Sequence, residues 1–183
     1  MMTRKEFMLK SAQAGIVIAS LPIVSSCIDN VKKLRADLRF KNLAEAMKDL
    51  EKIEQSVSLK VNGEWSIFQN LIHCAQSIEY SLTGYPEHRS WLFKNTIGAI
   101  AFSTFERRGY MTHDLSAPIP QAPEILKEGD LKEAVQRLKK AIEDFDNFSG
   151  NLAEHFAYGQ LTKEEYALAH TLHLADHLSV IAY

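Results

Sequence analysis

His170, His173 and His177 recur at spacings of three and four in the last stretch of the chain, LTKEEYALAHTLHLADHLSVIAY over 161–183. On a helix those spacings stack all three imidazoles on one face. Leu168, Leu172, Ala175 and Leu178 flank the stripe, so it looks into apolar packing, where an imidazole needs a partner. A divalent metal ion is one such partner. His173 and His177 form an HxxxH pair, which can place two ring nitrogens about 2 Å from one ion, and an imidazole from a facing helix supplies a third ligand. His73 is in a position to do so, because it shares a polar strip with Gln69, Gln76 and Tyr80 on an otherwise apolar helix. The expected ligands are therefore His73, His173 and His177. His170, Gln69, Gln76 and Tyr80 are expected around them as supporting groups. The alternative for the same rings is a set of core histidines satisfied by Gln69, Gln76, Tyr80 or water. Leu174 and Ala175 follow His173, so the glutamate of an HExxH protease is missing and that mechanism is excluded.

The elements that must hold these residues are helices. Thr162 with Glu165 three residues later is a capping box that starts the last one, and no glycine or proline interrupts it. Asn42 with Glu45 opens a first helix that runs to about residue 55, with Leu43, Met47, Leu50 and Ile53 as its stripe. A second spans about 65–82 with Trp65, Phe68, Ile72, Ala75 and Ile78 inward. A third, 90–107, carries Trp91, Phe93, Ile97, Ile100, Phe102 and Phe105. Pro118, Pro120 and Pro123 forbid a helix over 113–123 and make it an extended crossing. Asp130 caps a further helix striped by Leu131, Val135, Leu138, Ile142 and Phe145. His88, His113 and His155 fall in loops or at a helix start and read as solvated surface residues. Cys74, about 100° round the helix from His73, reads as a small buried hydrophobe.

The 183 residues, 46% hydrophobic, suffice for one core. A formal charge of −2 leaves no basic surplus for nucleic acid; Arg107 and Arg108 sit at the end of a helix, where positive charge opposes the dipole. The sequence has neither a nucleophile triad nor a phosphate-binding glycine loop.

Residues 1–27 have the layout of an export signal: basic Arg4, Lys5 and Lys10, an apolar run over 14–24, then small residues. The run is too short to span a bilayer. Val24-Ser25-Ser26-Cys27 resembles a bacterial lipobox, which makes Cys27 the lipidated residue, and Thr3-Arg4-Lys5-Glu6-Phe7 is similar to a twin-arginine signal with lysine at the second arginine. The expected organisation is a signal over 1–27, a charged tether over 28–39 and a folded domain over 40–183. The expected location is the periplasm or cell envelope as a lipoprotein, with a cytoplasmic location as the alternative.

Trp65-Ser66 leading to Gln69, His73-Cys74-Ala75-Gln76-Ser77-Ile78-Glu79-Tyr80-Ser81, the Ser116-Ala117-Pro118-Ile119-Pro120 crossing and the final HxxHxxxH together resemble an uncharacterised branch of the DinB superfamily, over about 40–183. The resemblance implies an all-α four-helix bundle, up-up-down-down, with a long crossover that carries an extra helix. It also implies a divalent metal, zinc or nickel, on His73, His173 and His177. Enzymes of that superfamily transfer or isomerise with low-molecular-weight thiols. The functional expectation is a metal-dependent transferase or hydrolase activating a thiol or water for a small-molecule substrate, and a homodimer is compatible with it. A metal-dependent binding module without turnover is the alternative.

Overall fold

The computed structural model describes residues 32–183, so the expected export signal, Cys27 and the first part of the expected tether lie outside the described residues. Five helical runs and one small sheet make up the body. Helix α1 (Leu43–Gln55) starts where the Asn42 side chain accepts from the Glu45 N–H. Helix α2 (Ile67–Thr83) opens on a full capping box of Ser66 and Gln69, two residues later than the apolar stripe predicts, because Trp65 lies outside the helix. Helix α3, residues 91–108, begins as an α turn (Trp91–Phe93), widens into a π segment (Lys94–Gly98) and returns to α geometry (Ala99–Arg108). It ends at Gly109, whose φ of 72° is the left-handed conformation that glycine adopts without a Cβ penalty. Helix α4 (Leu131–Asn147) is capped by Asp130, and helix α5 (Lys163–Leu178) by the Thr162–Glu165 box. Strand β1 (Lys60–Val61) pairs antiparallel with β2 (Ile181–Ala182), tying the chain end to the loop before α2. Among the described residues no helix is long and apolar enough to cross a membrane.

Helix α2 packs against α4 and α5, α1 packs against the same two, and α3 leans on α5. Leu50, Leu71, Leu138, Ile142, Leu174 and Leu178 are fully buried between them. Each such side chain contributes about 1.5–3 kcal/mol of transfer free energy. Most of the stripes expected on α1, α2 and α4 lie in this core, with Met47, Phe68 and Leu131 at its margin; of the expected α5 residues Leu178 joins it and Leu168 is half-buried.

Helix α3 departs from expectation. Trp91, Ile97 and Ile100 are 60–70% exposed, while Phe102 is buried. A π segment adds one residue to a turn, so a stripe counted at 3.6-residue spacing rotates out of the core across Lys94–Gly98.

The tether also departs from it. From residue 32 onward it is part of the body. Arg35 donates from its backbone N–H to the Ser179 carbonyl (2.8 Å). Its guanidinium reaches the carbonyls of Leu178 and Ile181 (both 2.7 Å) and grips the buried Asp49 carboxylate with two nitrogens at 2.8 and 2.9 Å. Lys33 pairs with Asp176. The strap thus closes over the C-terminal end of α5, the end that carries the histidines.

Candidate metal centre

Four imidazoles meet at one point. His173 and His177 come from α5, His73 from α2 and His113 from the crossing segment, and their ligand atoms all lie within 4.8 Å of one another. The structure brings together the three histidines expected from the sequence and adds His113, which by its place in a loop reads as a solvated surface residue.

The closest approaches are His73 Nε2 to His173 Nε2 at 3.3 Å and His113 Nε2 to His177 Nε2 at 3.0 Å. Zn–N bonds of about 2.0–2.1 Å in tetrahedral array set the donor atoms about 3.3–3.4 Å apart, which is close to both distances.

Hydrogen bonds on the far side of two rings decide what their near sides carry. His177 Nδ1 lies 2.8 Å from Asn70 Oδ1. The Asn70 amide nitrogen donates to the carbonyls of Ser66 (2.9 Å) and Trp65 (3.3 Å), so the oxygen is the atom turned to His177 and must accept. His113 Nδ1 lies 2.8 Å from Asp176 Oδ2, and a carboxylate accepts. Both rings therefore place an N–H on Nδ1, and in the neutral form each leaves a lone pair on Nε2. Two lone pairs 3.0 Å apart cannot hydrogen-bond to each other. They require a cation, either a proton or a metal ion.

On the rings supplied by α2 and α5, burial opposes the proton. It pushes the His73 imidazole down to about 3, with the neighbouring His113 adding to the effect. Burial followed by the surrounding histidines holds His173 and His177 well below the usual range. These rings are neutral near pH 7, which is the form that ligates a metal. His73 Nδ1 is the one buried side-chain nitrogen or oxygen among the described residues without a hydrogen-bond partner. The donor set thus fits a divalent ion of nitrogen preference, the zinc or nickel class.

Trp65 closes one side of the cluster, its ring stacked on His177 at 6.2 Å and edge-on to His73 at 5.0 Å. The other side opens into a cleft of about 220 Å³. His73, His113 and His173 line it, together with Arg89, Phe156 and Tyr158 and the Pro118-Ile119-Pro120 stretch of the crossing.

The supporting residues differ from those expected. Gln69 turns its oxygen to the Ser66 N–H in the capping box (3.1 Å), Gln76 reaches the Pro123 carbonyl at 3.5 Å, and Tyr80 packs on Tyr85. His170 is buried against Tyr166 and Phe145, with Nε2 3.2 Å from Ser81 Oγ; it joins α2 to α5 and lines the cleft, and a ring other than those of the cluster is its neighbour on each side. Asn70 and Asp176 orient the ligands instead. Asn70 lies one turn before His73 and Asp176 immediately before His177, so both were readable as polar residues on core-facing helices. His113 carried no such signal, because a proline-rich crossing has no periodicity. His155 is buried rather than solvated. Its Nδ1 accepts from the Ala157 and Tyr158 N–H groups (both 3.1 Å), and its ring stacks on Tyr158 at 4.2 Å. Cys74 is buried and free. Burial, reinforced by the Asp176 charge, pushes its thiol up, so it is an inert packing residue.

The family model described as a protein of unknown function, DUF1569, matches residues 32–182. No curated protein and no solved structure matches the chain.

Proposed function

The chain belongs to the DUF1569 family of proteins of unknown function, and we propose that it is a divalent-metal-dependent enzyme of the DinB type, a transferase or hydrolase that uses a thiol or water nucleophile. The observation that carries the metal is the convergence of four imidazole ligand atoms within 4.8 Å of one another, with the far nitrogens of His113 and His177 turned to Asp176 and Asn70. The bundle reading is supported by the mutual packing of α1, α2, α4 and α5, with α3 in the crossover. Support for chemistry comes from the cleft, since three of the four imidazoles line a space that a small molecule can enter. A zinc-class ion there lowers the pKa of a water or thiol that reaches it, supplying a nucleophile near neutral pH. Asp176 and Asn70 hold the His113 and His177 rings in the ligating tautomer. Trp65 keeps water from the rear of the site.

One observation favours a second reading, a metal-dependent binding module. Four imidazoles are the donor number of a closed tetrahedral centre, in which no position remains for a substrate. Metal analysis of the purified full chain, with His113→Ala and His177→Ala beside it, tests the metal. A screen of thiol transfer and ester, amide and phosphate hydrolysis then separates the readings. One ion per chain, lost in both variants, together with metal-dependent turnover, is the expected result. An ion without turnover favours the binding module, and a wild type that takes up no zinc or nickel ends both.

We propose further that the protein is exported and anchored through Cys27, on the strength of the basic start, the short apolar run and the lipobox-like sequence before it. Labelled fatty acid should enter the wild type and not Cys27→Ala. A wild type that starts at Met1 and takes up no label removes the anchor.

A further inference from the structure

The cleft beside the histidines is lined by one formal charge, that of Arg89, and by no aspartate or glutamate. Glu154, the acidic residue nearest by sequence to the aromatic loop of the cleft, is already engaged by Lys94 Nζ at 2.7 Å. Among the described residues no carboxylate pairs with the Arg89 guanidinium; its recorded neighbour is the Phe93 ring at 5.9 Å. Its backbone is held although the side chain is exposed, because its N–H donates to the Phe156 carbonyl (2.9 Å), on a loop that also lines the cleft. A cation held at the mouth of a cleft without its own counter-ion is a site for an anion.

The inner end of the cleft has the same preference. Imidazoles bound to a divalent ion through nitrogen contribute no charge to offset it, and the Asp176 carboxylate behind His113 is balanced by Lys33. Met111, Pro118, Ile119, Phe156 and Ala169 give the cleft apolar lining, beside Ser77, Tyr158 and the His155 and His170 rings. We infer that the cleft takes a small organic anion, a carboxylate or phosphate on an apolar body, with its charged group on Arg89 and its body directed at the histidine cluster. The role of the inner end rests on the metal reading above; that of Arg89 does not.

The test is calorimetric titration of the full chain with 4-phenylbutyrate and with its primary amide, which has the same body without the charge. Wild type, Arg89→Gln and Arg89→Lys are each measured zinc-loaded and after chelator stripping, with zinc uptake recorded separately. The substitutions leave the backbone contact to Phe156 intact. Wild type should prefer the carboxylate by about tenfold, the order expected of a hydrogen bond to a charged group. Arg89→Gln should lose that preference and Arg89→Lys should keep part of it, with zinc uptake equal in all three. Carboxylate preference that survives in Arg89→Gln overturns the inference, as does equal binding of the two probes or binding of neither by wild type at millimolar concentration. If zinc is not taken up and the stripped protein still discriminates through Arg89, the metal reading falls and the anion site stands. If zinc binds normally and discrimination is missing, the reverse holds.

Discussion

His113 Nε2 lies 3.0 Å from His177 Nε2, although the two residues are 64 positions apart, and each ring turns its other nitrogen to an acceptor. The Asp176 carboxylate fixes one tautomer and the Asn70 amide oxygen the other. Partners of this kind set the orientation and basicity of metal-ligating imidazoles, and their loss usually weakens metal binding 10- to 100-fold.

Asn70→Leu and Asp176→Asn should therefore each lower zinc affinity by about 10- to 100-fold while leaving the four histidines in place. Competition with a chromogenic chelator measures it. Asp176→Asn also leaves Lys33 without its counter-charge, so melting temperature must be followed alongside. If both variants bind zinc as wild type does, the tautomer argument fails.

His170 gives a pH dependence of known sign. Burial pushes its imidazole down to about 3, whereas in an unfolded chain it titrates near 6.5. Below about pH 6.5 the unfolded chain takes up a proton that the folded protein refuses, so this group costs about 1.4 kcal/mol of stability for each pH unit down to its folded value. Above pH 6.5 it costs nothing. His170→Gln keeps a donor for Ser81 Oγ and removes the titration. Measured by urea unfolding of the metal-free proteins, the stability difference between wild type and variant should move by roughly 2 kcal/mol in favour of the variant between pH 7 and pH 5. A difference that stays constant over that range would mean that His170 is not buried as a neutral ring.

The legible parts of the molecule were those with a period. The stripes on α1, α2, α4 and α5 are in register with the core because a regular helix repeats its faces, and His73, His173 and His177 converge because they stand on such faces. Helix α3 was misread where Lys94–Gly98 breaks the period. His113 was invisible for the same reason in stronger form, since nothing in a crossing segment with three prolines says which side chains turn inward. Gln69 misled for a local reason. Ser66 with Gln69 is itself a capping-box signature, and starting the helix at Trp65 assigned the glutamine to the site instead of to the cap.

The strap over 32–39 should be part of the folded unit and not a leash. Asp49 is 4% exposed, and its carboxylate accepts from two Arg35 nitrogens and from the Tyr183 hydroxyl at 2.9 Å. Arg35→Met leaves that carboxylate buried with one neutral donor, a change that typically costs about 3–5 kcal/mol. Replacing both partners, Arg35→Met with Asp49→Leu, should recover most of the loss, because the uncompensated charge is gone. Chemical denaturation of the three proteins decides it; an Arg35→Met protein within about 0.5 kcal/mol of wild type, the range of an ordinary surface substitution, would make the strap incidental.

Gly98 sets the position of the loop that forms the aromatic wall of the cleft. It has a helical φ of −62°, so alanine suits its backbone and, by helix propensity alone, should stabilise the protein by up to about 1 kcal/mol. Packing decides the other way. A Cβ at this position would stand 1.9 Å from the Ala157 carbonyl oxygen, and that oxygen belongs to a loop closed by paired backbone bonds between His155 and Gly159 at 2.9 and 3.2 Å. The loop cannot yield one atom at a time, so Gly98→Ala should push it outward as a unit, at a cost of about 1–3 kcal/mol. Phe156 moves with it, and with Phe156 the carbonyl that fixes Arg89. The variant should therefore melt below wild type and bind 4-phenylbutyrate more weakly while taking up zinc normally, since none of the four clustered histidines lies on the loop. A variant more stable than wild type, with the probe bound equally well, would show that the close approach of Gly98 to Ala157 plays no part in shaping the cleft.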